Sequence, residues 1–97
     1  MFDRARRRIR HLVRSDLYVM TVHAHEEMEA DALTLRDVEQ VLLTGEIVER
    51  QKDKQTNEAK YVLEGGASNA TRVVTKIGPS GRLVIITVYR TAPAGER

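Results

Sequence analysis

The chain has 97 residues, 41% hydrophobic and 31% charged, with no cysteine and a net charge of +2. This length suits a single hydrophobic core, and the balance of residues excludes intrinsic disorder. It also excludes disulfides, thiol nucleophiles, cysteine-based zinc sites and any apolar run long enough to span a bilayer; no secretory leader core is present. The expectation is a cytoplasmic domain over residues 1–90, with 91–97 a flexible tail.

The small net charge conceals a segregation. Residues 1–14 hold six arginines against Asp3, Glu26 to Glu49 hold eight acids against Arg36, and Arg50 to Arg97 hold nine basic residues against four acids. A basic first helix and a basic sheet could then face a polyanion together.

Phe2, Ala5, Ile9, Leu12 and Val13 fall on one side of a helix whose remaining surface is arginine, which predicts a docked amphipathic helix over 1–14 rather than a transit peptide. Leu17 to Val22 is rich in β-branched and aromatic residues and predicts a short extended segment leading into a helix over about 24–31. Thr34 is placed as an N-cap with Asp37 at N3 and Leu33 stapled to Val38. Leu35, Val38, Val41 and Leu42 form a buried stripe, and Gly45 ends the helix as its C′ residue.

Beyond Gly45 the periodicity becomes that of strands: Glu46 to Arg50, Lys60 to Glu64, Thr71 to Ile77 and Arg82 to Arg90. Short polar connections favour antiparallel neighbours. The predicted fold class is α+β, with N-terminal helices packed on an antiparallel β-meander of about four strands. In the last strand Val84, Ile86 and Val88 are expected beneath the helices, with Leu83, Ile85, Thr87 and Tyr89 on the other face. Both sets are apolar enough to predict a central strand or one covered by a partner.

MTVHAHEEME, residues 20–29, is the stretch richest in chemistry. The helical zinc motif needs histidines at i and i+4 with a glutamate between them, whereas here His25-Glu26 is followed at i+4 by Glu29, which favours an exposed charge pair over a metal site. His23, expected at the helix entrance and reaching past the helix end towards the sheet, is either a proton-transfer group or a local cap. No phosphate-binding glycine pattern and no nucleophile elbow occurs, so no cofactor is expected. Three tyrosines and one phenylalanine leave few stacking platforms for bases.

The order of Thr21, His23, Ala24, Glu26 and Met28, then Asp37 and Val38, then Gly45-Glu46-Ile47-Val48-Glu49, then Leu83 to Tyr89 resembles a small bacterial domain of unknown function, DUF 4258. The likeness covers Thr21 to Arg90. That family is related in fold to the RelE, ParE and BrnT toxins, most of whose active members are ribonucleases. Basic residues are frequent in the family where this chain has Glu27 and Asp31.

The resemblance implies metal-independent RNA cleavage, with His23 as base or acid, Tyr89 stacking or donating a proton, and Arg72, Lys76, Arg82 and Arg90 holding phosphate. The implied partners are RNA and a protein antitoxin. The alternative is a non-catalytic module of the same fold that binds protein or self-associates through its second sheet face, with no role for a membrane or a small-molecule cofactor.

Overall fold

The structure, a computed structural model, describes residues 1–67 and 70–91. The tail expected over 91–97 lies outside the described residues except for Thr91. In chain order the elements are α1 (Asp3–Arg14), β1 (Tyr18–Met20), α2 (Val22–Ala30), α3 (Leu35–Thr44), β2 (Glu46–Lys52), β3 (Ala59–Gly65), β4 (Thr71–Ile77) and β5 (Leu83–Arg90).

The sheet is five-stranded in the order β1-β5-β4-β3-β2. Strands β2 to β5 form the expected antiparallel meander, but β1 adds a fifth strand parallel to β5, pairing Tyr18, Val19 and Met20 with Leu83, Val84 and Ile85. The sheet is therefore mixed. A three-residue strand has too little periodicity to show in sequence, and its partner lies more than sixty residues away.

One core joins all three helices to one face of the sheet. Ile9, Leu12 and Val13 of α1, Ala24 of α2, and Val38, Val41 and Leu42 of α3 pack with Leu63, Val73, Leu83, Ile85 and Val88. The inward set on β5 is thus Leu83, Ile85 and Val88, which corrects the expected alternation. In the β4–β5 ladder Val74 pairs with Thr87 but Thr75 pairs with Ile85, so Ile86 is bulged out and the phase inverts at that point. β5 is central, between β1 and β4.

Helix ends follow local chemistry. Thr34 accepts from the Asp37 amide at 3.1 Å and Asp37 accepts from the Thr34 amide at 2.8 Å, a reciprocal capping box. The Thr34 amide first, and the Thr34 hydroxyl second, hold the Asp37 carboxyl below its ordinary range. Thr21 caps α2 by accepting from Ala24 at 3.0 Å, so the helix starts at Val22, two residues before the predicted start.

Helices α1 and α2 both close through a left-handed residue without glycine. Asp16 (φ 58°) and Ala32 (φ 56°) take the αL position. The amides of Leu17 and Leu33 then reach back to the Leu12 and Met28 carbonyls at 2.8 Å each.

Gly45 does end α3, but with extended backbone (ψ 178°) rather than as a left-handed C′ residue. Its need for glycine is steric, since a Cβ would lie 2.5 Å from the Val41 carbonyl oxygen and 2.6 Å from that of Glu64.

Candidate functional site

Helix α2 lies along the edge of β5 and bonds to it continuously. The Thr21 amide donates to the Ile85 carbonyl at 3.1 Å, and the Thr21 hydroxyl donates to the Ile86 carbonyl, also at 3.1 Å. Six residues on, Glu27 Oε1 accepts from the Val88 amide at 3.1 Å. One turn further, Asp31 Oδ2 accepts from the Arg90 amide at 3.1 Å, and Arg90 Nε donates to the Asp31 carbonyl at 2.9 Å. The i, i+4 spacing of Glu27 and Asp31 on a helix thus meets the i, i+2 spacing of outward amides on a strand. These carboxylates complete the ladder that β1 is too short to finish.

His23 is the second residue of α2 rather than a group reaching past its end. Its Nε2 lies 3.3 Å from Glu27 Oε1, the same oxygen that takes the Val88 amide, and the side chain is 64% exposed. Glu27 thus lies between the imidazole and β5, and the ring itself stays exposed to solvent. The contact runs down the helix because i and i+4 share a face and Thr21 already holds the cap.

Tyr89 follows Val88 and pairs across the ladder with Arg72, which in turn pairs with Glu64. All three belong to the sheet face away from the helices. Arg72 Nε donates to Glu64 Oε2 at 2.9 Å; that bond first, and the neighbouring Tyr89 phenol second, hold the guanidinium above its ordinary value.

The other expected phosphate ligands lie apart from this corner. Arg90 pairs with Thr71, whose side chain is buried, so it sits on the helix side and lines a cavity of about 390 Å³ with Leu33, Asp37, Gln40 and Thr44. Lys76 shares the outer face with Arg72, as expected, but four residues along β4, roughly 13 Å away. Its Nζ is held by Glu58 Oε1 at 2.8 Å, which raises the lysine pKa and lowers that of the glutamate. Arg82 is exposed in the β4–β5 turn, at the opposite end of β5 from Tyr89.

Tyr89 and Arg72 are thus cross-strand neighbours on the outer face, Tyr89 following the Val88 whose amide Glu27 shares with His23, and the remaining three stand apart. The fold also separates the two basic regions. The arginines of α1 lie on the helical layer, whereas Arg72 and Lys76 lie on the far side of the sheet, because they alternate with the inward-facing Val73 and Thr75. A single polyanion face formed by both, as charge segregation suggested, is not what the fold builds.

Among the described residues no three His, Cys, Asp or Glu side chains are placed to hold a metal ion. His25 and Glu29 are both exposed.

Glu27 was missed as a partner of His23, although the i, i+4 spacing carried the signal. A second feature had no signal in sequence. The N-terminal part of α1 and strands β2 to β4 form a groove of about 310 Å³ where Phe2 meets Tyr61 edge-to-face, centroids 6.3 Å apart, beside Arg4, Arg8 and Arg50.

No curated protein and no solved structure matches the chain. A family model described as Domain of unknown function (DUF4258) does match, over residues 20–90. The match begins at the last residue of β1 and takes in the α2–β5 corner and the whole meander, so the chain belongs to this family.

Proposed function

We propose that the protein binds RNA at the α2–β5 corner and cleaves it without a metal, acting in the cytoplasm as an endoribonuclease toxin of RelE/BrnT-like type whose activity a protein antitoxin blocks. The observation that carries this reading is the exposed His23 imidazole tied through Glu27 to the backbone of Val88, next to Tyr89 and its cross-strand partner Arg72.

In this reading His23 accepts the proton of a ribose 2′-hydroxyl as its oxygen bonds to phosphorus. Arg72 stabilises the charge on the phosphorane oxygens. The bond from phosphorus to the 5′-oxygen then breaks, and the Tyr89 phenol protonates the leaving oxygen. The products are a 2′,3′-cyclic phosphate and a 5′-hydroxyl. Phosphate reaches Arg72 by displacing Glu64, since a planar guanidinium serves either carboxylate or phosphate.

The test is cleavage of a labelled RNA by purified protein in EDTA. Wild type is expected to cleave, and His23→Ala to fall at least tenfold, about 1.4 kcal/mol of transition-state stabilisation. Tyr89→Phe is expected to slow the reaction with little change in RNA affinity.

A second reading is favoured by the outer sheet face, which no helix covers among the described residues. Val74, Val84 and Ile86 are partly exposed there, and Val19 is 42% exposed. In that reading the domain is a non-catalytic module that takes a protein segment, or a second copy, on this face. Absence of cleavage in every variant, with dimers seen by light scattering, would favour it.

A further inference from the structure

We propose that the groove between α1 and the sheet is a binding site for single-stranded nucleic acid, distinct from the α2–β5 corner. The proposal goes beyond the cleavage reading and does not require it, because the two sites share no residue.

Three observations meet in this groove. The first is unspent positive charge. Among the described residues α1 makes one ion pair, Arg6 with Glu46 at 3.7 Å, and Arg4, Arg7, Arg8 and Arg14 are exposed without one. Arg50 on β2 likewise has no carboxylate within ion-pair distance among the described residues and adds its charge from the other wall. The second is the identity of the cations. All basic residues of this helix other than His11 are arginine, whose planar fork matches two phosphate oxygens at once and whose face stacks on a base. Arg4 and Arg8 stand four residues apart, about 6 Å along the axis, a spacing suited to successive phosphates of one strand.

The third observation is the floor. Phe2 and Tyr61 meet edge-to-face with an interplanar angle of 75°, and Ile77 lies beside them. Two of the chain's four Phe and Tyr residues are thus gathered inside a rim of arginine. An apolar, aromatic floor under a cationic rim takes an unstacked base with its phosphates above it, whereas a paired duplex presents no free base face. Arg4, Arg8 and Phe2 precede the family match and Arg50, Tyr61 and Ile77 lie within it, so the site exists only where the leading helix docks on the family domain.

The experiment is fluorescence anisotropy of the full chain with a labelled 2′-O-methyl oligouridylate, which cannot be cleaved, over a range of salt. Wild type is expected to bind. Joint Arg4→Ala, Arg8→Ala and Arg50→Ala substitution should weaken binding at least tenfold and flatten the slope of log affinity against log salt by about 2, given roughly 0.7 per phosphate contact on a single strand. Phe2→Leu, which keeps the packing, should weaken binding several-fold with the slope unchanged.

A charge-matched triple, Arg7→Ala, Arg14→Ala and Arg82→Ala, removes the same charge away from the groove and should cost clearly less. Equal losses from the two triples would overturn the site, as would absence of binding at low salt. Binding to phosphatidylserine vesicles with no oligonucleotide binding would replace nucleic acid with a membrane surface and overturn it too. If melting shows the groove triple unfolded, Arg50→Ala alone carries the test, because that side chain is exposed on an edge strand. His23→Ala is expected to leave this binding unchanged, so loss of cleavage and loss of the groove are told apart.

Discussion

Along β5 the outward amides of Val88 and Arg90 donate to Glu27 of α2 and to Asp31, its C-cap, whereas β2 presents the seven residues Glu46–Lys52 with no strand beyond them among the described residues. These two edges solve one physical problem differently. An unpaired edge is a template for another chain, and it is blunted either by covering it or by charging and kinking it. The β5 side is covered, first by β1 and then by helix carboxylates. The β2 side relies on Glu46, Glu49, Arg50 and Lys52 and on a register shift between Ile47 and Glu49 that bulges Val48. The covered edge carries the candidate chemistry. A carboxylate that must hold a strand amide is fixed in place, and the exposed His23 imidazole lies 3.3 Å from the same oxygen.

The contrast is broken most severely by Glu27→Lys, which removes the acceptor of the Val88 amide and sets a cation beside His23. It should cost about 2 kcal/mol, read as a fall of roughly 10 °C in melting temperature. Thr21→Ala, which loses both the cap of α2 and the bond to Ile86, should cost about 1–2 kcal/mol. Ala32→Gly acts in the opposite direction. Relieving a left-handed alanine at the end of the sealing helix should stabilise by about 1 kcal/mol in chemical denaturation.

Tyr18 on β1 sharpens the comparison through pH. Its hydroxyl donates to Glu39 of α3, and burial, with Glu39 behind it, pushes the phenol from its ordinary 10.0 up to about 12. Folded Tyr18 therefore keeps its proton where the unfolded chain has lost it. Its contribution is complete below about pH 10 and is lost as pH rises towards 12. Denaturation midpoints should fall over that window, and Tyr18→Phe should remove part of the fall. The smallest effect belongs to the open edge. Glu49→Lys reverses charge as Glu27→Lys does, yet should change stability by less than about 0.5 kcal/mol.

Much of this was legible in the sequence where local chemistry dominates. Thr34 and Asp37 announce their capping box, the four meander strands lie within two residues of their predicted limits, and the apolar faces of α1 and α3 are read from helical spacing, except that Leu35, expected in the buried stripe, is the first residue of α3 and stays 44% exposed. What was hidden depends on distant partners. β1 is three residues long and pairs with a strand at the far end of the chain. Ile86 bulges in its ladder with β4, so simple alternation places Val88 correctly but assigns Leu83 to Ile86 to the wrong faces. Glu27 and Asp31 read as an acidic helix surface, since nothing local says that two strand amides wait opposite them. The site residues divided for the same reason: alternation places Arg72 and Lys76 together but cannot tell that Arg90 faces the helices or that α1 lies across the sheet from both.

The most direct test of the α2–β5 corner is a titration of isotope-labelled protein with a non-cleavable 2′-O-methyl RNA, followed by amide chemical shifts. The account predicts movement at His23, at Val88 to Arg90 and at Arg72, separate from any response of Phe2, Arg4 and Tyr61 in the groove. Saturable binding that leaves the β5 corner silent would contradict it.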